Sequence, residues 1–180
     1  MEIEIDARAK DQRLNRMVAL TVVVLSIFMG LGQVKDGNIV QAMEQAQSNS
    51  VDRWGEYQAT RTKQHIDETA LAQARVTPGL AEEQSRLAAQ IAKYQDEAPK
   101  LRAQAEGFQA QYDALNVHDD QFDASDAAIG VAVAVAAVAA LSESLPALFV
   151  AWAFGAFGMV MGLAGFFGLA LKSPLASLLS

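Results

Sequence analysis

The sequence predicts an all-α membrane protein: three transmembrane helices and an extramembrane antiparallel helical hairpin of coiled-coil type. Three observations predict it. Charged and apolar residues stand in separate blocks, a seven-residue apolar period runs through 80–115, and two polar arms of matching length flank a Pro-Gly turn. The averages hide the first of these, since 180 residues with 52% apolar content and a mean hydropathy of +0.13 look like a one-domain soluble chain. Nearly all the charge lies in 1–16 and 35–126; 17–34 carries none, and 127–172 carries only Glu143 and Lys172. A soluble helix interleaves the two kinds of residue at helical spacing. Blocks of this kind need a solvent other than water.

The first element is 1–16, with Arg8, Lys10, Arg13 and Arg16, followed by an uncharged run at 17–34. As helix that run is about 27 Å long, at the short end for a hydrocarbon core. The basic flank also suits a signal peptide. The run is long for such a segment, however, and no Ala-x-Ala site follows; Gly30-Leu-Gly32 is the nearest small-x-small triplet. We read 17–34 as a retained anchor. The second apolar segment, 127–141, is mostly Ala and Val. Its Val-Ala alternation would fit a strand, but a lone strand leaves its backbone groups unpaired in lipid, so helix is expected. The third is 147–171, separated from the second by the polar turn 142–146, which ends in Pro146.

Small residues recur along the third segment at Ala151, Gly155, Gly158, Gly162 and Gly165, all on one helical face. Gly130, Ala134 and Ala137 offer a similar face on the second. Faces of this kind let helix backbones approach closely within lipid. Two partners fit: the neighbouring helix of the same chain, favoured here, or another subunit. Orientation follows Lys and Arg near the membrane ends. The N-terminal flank is basic, whereas 103–126 has no Lys or Arg but carries Asp113, Asp119, Asp120, Asp123 and Asp126. The N-terminus is therefore expected in the cytoplasm and 35–126 in the periplasm of a bacterial inner membrane. Lys35 and Lys172 vote the other way, and 142–146 has no basic residue to vote with.

The stalk, 35–126, carries the heptad. Leu80, Leu87, Tyr94, Leu101, Phe108 and Leu115 recur every seven residues; Ile91, Ala98, Ala105 and Tyr112 fill the alternate core positions, with Gln84 the polar interruption. Pro99 is expected to kink or break this helix. The first arm has a poorer seam: Val40, Met43, Val51, Trp54 and Tyr57. A turn is expected at 76–79, with Thr77 capping the next helix and Pro78 in its first position. Each arm reaches about 60 Å, so both return to the same membrane face. Centring on Thr77–Pro78 makes opposed residue numbers add to about 155, within one helical turn. That register pairs Val40 with Leu115, Met43 with Tyr112 and Trp54 with Leu101. It sets Trp54 and Tyr57 beside Ala98 and Ala105, with Phe108 and Tyr112 facing Ala46 and Ser50. Pro99 falls opposite Trp54, where a kink makes room for the indole. The candidate packing and interaction residues are accordingly Trp54, Tyr57, Leu101, Phe108, Gly155, Gly158 and Gly162.

Three stretches resemble an uncharacterised bacterial membrane-protein family catalogued as domain of unknown function 4337. They are Asn15-Arg-Met-Val-Ala-Leu20, Asp52-Arg-Trp-Gly-Glu-Tyr-Gln-Ala59 continuing to Lys63-Gln-His65, and His118-Asp-Asp-Gln-Phe-Asp123. With the order of apolar segments they span almost the whole chain. The family usually has basic residues in the turn between the last two helices and an aromatic beside Tyr57; here the turn is Ser-Glu-Ser-Leu and the neighbour is Glu56. The resemblance implies the architecture and no activity.

Chemistry is sparse. No cysteine is present, which excludes disulfides and thiolate metal sites. A net charge of −7 and a pI near 4.8 leave no basic face for nucleic acid. His118, Asp119, Asp120 and Asp123 could offer hard oxygen ligands to Ca²⁺ or Mg²⁺. They lack EF-hand spacing and a glycine turn, so we read them as an acidic lead-in to the second apolar helix and expect no metal or cofactor. His65 reads as a solvated or interhelical hydrogen bonder. No nucleophile–base set, phosphate loop or His-Glu-x-x-His pair appears, and no small-molecule substrate is indicated. The apolar cores hold no ionisable residue, which disfavours an ion or proton pathway through the chain. The expected function is non-enzymatic: a structural or interaction module in the lipid bilayer that self-assembles as a homo-oligomer or joins a membrane-protein complex. An oligomeric channel or tension-sensing pore is the alternative.

Overall fold

The computed structural model describes residues 2–169, with side-chain surroundings from Gln12 onward. The described residues form three helices and no strand: α1 (Glu2–Val76), α2 (Ala81–Leu141) and α3 (Leu145–Phe167). Each contains a stretch long and apolar enough to cross a membrane. The chain divides into two units, Met1–Gln41 with Leu115–Ser180, and Ala42–Ala114. Residues 35–41 and 115–126 thus group with the apolar helices and not with the rest of the expected stalk. The predicted end of the third segment at 171, the tail 172–180 with Lys172, and the side chains of Arg8 and Lys10 lie outside the described residues.

In the first unit the interior is built from small residues. Ala132, Ala136 and Ala139 of α2 and Ala151 of α3 are fully buried, beside Gly155, Gly158, Gly162 and Gly165. Large apolar side chains such as Leu20, Ile27, Leu31, Phe149 and Val160 point outward. Within α2 the buried face is Ser125, Ala128, Ile129, Ala132, Ala136 and Ala139, while Gly130, Ala134 and Ala137 are exposed. The small-residue face expected at 130, 134 and 137 is therefore corrected. A segment of Ala and Val offers small residues on every side, and the fit of Ile129 and Ser125 against α3 selects the other one. The apolar stretch of α1 is the least enclosed, 17% buried against 39% for those of α2 and α3.

The α2–α3 turn is short because both its ends are capped. Ser144 is the N-cap of α3, its Oγ accepting from the Ala147 N–H, and Pro146 follows in the first turn. Glu143 carries the left-handed conformation (φ 51°) that ends α2. The α3 C-terminus closes on Gly168 (φ 66°), where the Leu169 N–H reaches the Ala164 carbonyl at 2.9 Å. The third helix thus runs Leu145–Phe167 where 147–171 was expected.

The second unit consists of the ends of α1 and α2 around residues 77–80. Pro78 and Gly79 (φ 87°) lie in the turn, and α2 starts at Ala81. The Thr77 hydroxyl donates back to the Gln73 carbonyl at 3.0 Å. Thr77 therefore closes α1 and does not cap α2, and Pro78 is not its first residue; Gly79 turns the chain before helix can resume. Seven-residue spacing governs burial on both arms. Leu87, Ile91, Ala98 and Ala105 are buried on the second, with Tyr94, Leu101, Phe108 and Tyr112 half-buried, as the heptad predicts. On the first arm the seam is Met43, Ala46, Ser50, Thr60, Gln64 and Ala74. Ser50 Oγ donates to the Ala105 carbonyl at 3.2 Å, the pairing that the predicted register requires. Gln84 Nε2 donates to the Ala74 carbonyl at 2.9 Å, within one turn of it. Val40 and Val51 are exposed, and Ile39 and Ser50 hold the buried positions beside them. Leu80 leaves the seam because it belongs to the turn. No break occurs at Pro99, which lies on the exposed side of an unbroken α2, so the carbonyl that loses its donor faces solvent.

Candidate functional site

The seven candidate residues fall into two groups, one in each unit. In the second unit Trp54 and Tyr57 are half-buried and meet edge to face, with centroids 5.6 Å apart. Leu101 and Phe108 are half-buried on the other arm. The small residues that the register sets under these large ones are among the most buried in the chain: Ala105 0%, Ala46 2%, Ser50 2% and Ala98 4% exposed. His65 is exposed, its Nδ1 3.0 Å from Glu68 Oε2.

In the first unit the glycines of α3 form a continuous contact face within the chain. A Cβ on Gly155 would meet Leu25 at 3.0 Å; on Gly158, Ile129 at 2.7 Å and the Ser125 carbonyl oxygen at 2.9 Å; on Gly162, Phe28 at 2.6 Å and Ser125 Oγ at 2.8 Å. Gly165 receives the Phe122 ring, which also packs edge to face on Phe166 at 5.3 Å. Absent side chains on α3 are thus filled by bulky ones from α1 and α2. Trp152 Nε1 donates to Thr21 Oγ1 at 2.8 Å, and the Thr21 hydroxyl donates in turn to the Met17 carbonyl at 2.9 Å. An apolar groove of about 400 Å³ opens beside this pair, between Leu20, Val24, Leu25, Trp152 and Met159.

One cluster was not foreseen as a whole. Where the apolar stretches of α1 and α2 give way to polar sequence, Asp36 of α1 faces Asp119, Asp123 and Asp126 of α2. Gln33 Nε2 donates to Asp126 Oδ2 at 3.2 Å. Asp36 Oδ1 is buried without a hydrogen-bond partner. Burial, the charges of Asp119 and Asp123, the hydrogen bond shared with Asp119 and the charge of Asp126 push the Asp36 carboxyl up to about 6. Asp119 is also raised, by burial and by Asp123 and Asp120, but its bond with Asp36 acts in the opposite sense. Burial and mutual repulsion thus favour one proton held by the pair. Beside them His118 Nδ1 lies 3.2 Å from Gln121 Oε1, while Gln121 Nε2 donates to the Leu169 carbonyl at 2.7 Å. Sequence reasoning singled out Asp119, Asp123 and His118 but passed over Asp36, whose signal is its phase: it follows buried Gly32 by one turn and precedes buried Ile39. Among the described residues no group of His, Cys, Asp and Glu is arranged to hold a metal ion.

No curated protein and no solved structure matches this chain. A family profile does match, over residues 14–168, from the basic flank of the first apolar stretch to the glycine that closes α3. The chain belongs to the family described as domain of unknown function (DUF4337).

Proposed function

We propose that the chain is a non-enzymatic integral membrane protein that acts as a structural or interaction module, self-assembling or serving as an accessory subunit of a membrane complex. In this reading the three apolar stretches cross a bacterial inner membrane with the N-terminus in the cytoplasm. Residues 42–114 form an antiparallel coiled-coil hairpin on the periplasmic side. The observation that carries the reading is the inverted burial of the first unit: glycine and alanine inside, large aliphatic and aromatic side chains outside. In water so broad an apolar surface would drive association. In lipid it is solvated, and close backbone packing becomes the source of helix–helix stability. The Ser50–Ala105 and Gln84–Ala74 bonds support the hairpin, since a single register accounts for both.

Native mass measurement of the full chain purified in mild detergent tests the assignment. A defined oligomer or a stoichiometric membrane partner is expected; a lone monomer with a turnover activity would overturn it. A ring of copies around an open axis would favour the channel reading instead. Topology is read separately, from a Thr77→Cys variant and an impermeant thiol reagent. Labelling in intact spheroplasts is expected, and labelling only after permeabilisation reverses the orientation.

A further inference from the structure

We propose that Asp36 and Asp119 form a proton-operated clamp between α1 and α2, which tightens as the surrounding medium acidifies. The geometry begins with phase. Asp36 continues the buried edge of α1 between Gly32, which packs on the Phe122 ring at 3.7 Å, and Ile39, which is 7% exposed. Its carboxyl is thus turned toward α2. There it meets Asp119, with which it shares a hydrogen bond, and the charges of Asp123 and Asp126. Two ionised carboxylates are acceptors only and repel each other, so a proton shared between them is what lets the pair close. The second oxygen of Asp36 is buried without a donor. The Gln33 amide, on the same helix, donates to Asp126.

The other facing groups do not supply a compensating charge. On α1, Lys35 is exposed. On α2, His118 is engaged with Gln121, and Asp120 adds a further negative charge. The sequence of α3 contains no titratable side chain, and Lys172 lies outside the described residues. None of the ion pairs among the described residues involves these aspartates. Removing the shared proton therefore leaves a partly buried carboxylate facing three others across the helix interface.

The sign follows from linkage. With the α1–α2 contact closed, Asp36 titrates at about 6; with it open, at an ordinary value near 3.8. Between these values the closed form holds a proton that the open form lacks, so opening becomes easier as pH rises and levels off above the upper value. After allowance for partial solvent screening the full span is roughly fivefold.

Hydrogen exchange of the full chain in nanodiscs, followed by mass spectrometry from pH 4 to 8 and corrected for intrinsic rates, tests the clamp. Protection in 33–40 and 116–125 should fall between pH 4 and 6 and then stay flat. Asp36→Asn is isosteric and neutral, so it should keep the acid level of protection at every pH. Asp119→Asn should do the same, because its amide donates to an ionised Asp36. Infrared difference spectra should show a protonated carboxyl that titrates near pH 6 in the parent and is missing in Asp36→Asn. Protection independent of pH in the parent would overturn the clamp. So would an Asp36→Asn profile that still follows pH.

Discussion

Gly158→Ala is the sharpest test of how the apolar unit is held together. An added Cβ would stand 2.7 Å from Ile129 Cγ1, 2.9 Å from the Ser125 carbonyl oxygen and 3.2 Å from the Ile129 backbone nitrogen. Ile129 can shift its side chain, but backbone atoms cannot move alone. Restoring ordinary contact with the Ser125 oxygen requires α2 to retreat by about half an ångström, and the same helix is in register with Gly155, Gly162 and Gly165. Overpacking of this kind costs about 1–3 kcal/mol, whereas replacing a mid-helix glycine returns about 1 kcal/mol. The net expectation is a loss of up to about 2 kcal/mol. Gly162 meets only side-chain ends, Phe28 and Ser125 Oγ, so Gly162→Ala should cost less. Gly130 has nothing within 4 Å, so Gly130→Ala should be neutral or stabilising by up to about 1 kcal/mol. Reversible unfolding in mixed micelles with rising SDS can be followed by Trp152 fluorescence in a Trp54→Phe background. A Gly158→Ala protein as resistant to SDS as Gly130→Ala would refute close α2–α3 backbone packing.

Three further outcomes are expected. Gln64 is 4% exposed on the seam of the first arm; Gln64→Leu should raise the thermal midpoint of the chain, since burying the extra apolar surface contributes about 1–2 kcal/mol, and a lowered midpoint would show that its bonds to Arg61 and Glu68 matter more. Glu143→Gly should stabilise the α2–α3 turn by about 1 kcal/mol, because glycine enters the left-handed region without steric penalty; an unchanged SDS midpoint would count against strain there. Asp36→Asn should stabilise the chain at pH 7 by about 1 kcal/mol after allowance for partial solvent screening and remove the decline in parent stability between pH 4 and about 6, the window set by the raised Asp36 carboxyl; parallel pH curves for parent and variant would contradict it.

Residue patterns expose some of these features and conceal others for definite reasons. The second arm is readable because its seam residues are large: Leu87, Ile91, Leu101 and Phe108 cannot be mistaken for a solvent face. The first arm is not, because Ser50, Thr60 and Gln64 occupy seam positions that apolar counting skips, so Val40 and Val51 suggested a phase one residue off. The Ser50–Ala105 bond nonetheless fits the register expected from the Thr77–Gly79 turn, which does not depend on that count. In the apolar unit, the glycine face of α3 stands out against its bulky neighbours. The contact face of α2 does not, since Ala and Val alternate with little to distinguish 128, 132 and 136 from 130, 134 and 137. Asp36 was hidden for another reason: its meaning depends on Asp119, far away in sequence, and no local motif records that encounter.

The three apolar helices are not bound to one another in the same way. Between α2 and α3 the contact is backbone-close at Gly158 against Ser125 and Ile129, with alanines on the facing surface. Such packing responds to shape alone and has no switch in it. The apolar stretch of α1 is less than half as buried. It joins through single large side chains, Leu25 over Gly155 and Phe28 over Gly162. It is also held by polar latches at two levels, Trp152 to Thr21 and Gln33 to Asp126. Each latch is only one hydrogen bond and can be exchanged without repacking a core. The Asp36–Asp119 contact lies next to the second latch, on the helix that depends most on polar bonds. A change of one proton there acts where little apolar burial opposes it; the same carboxyl pair set between α2 and α3 would work against the closest packing in the molecule.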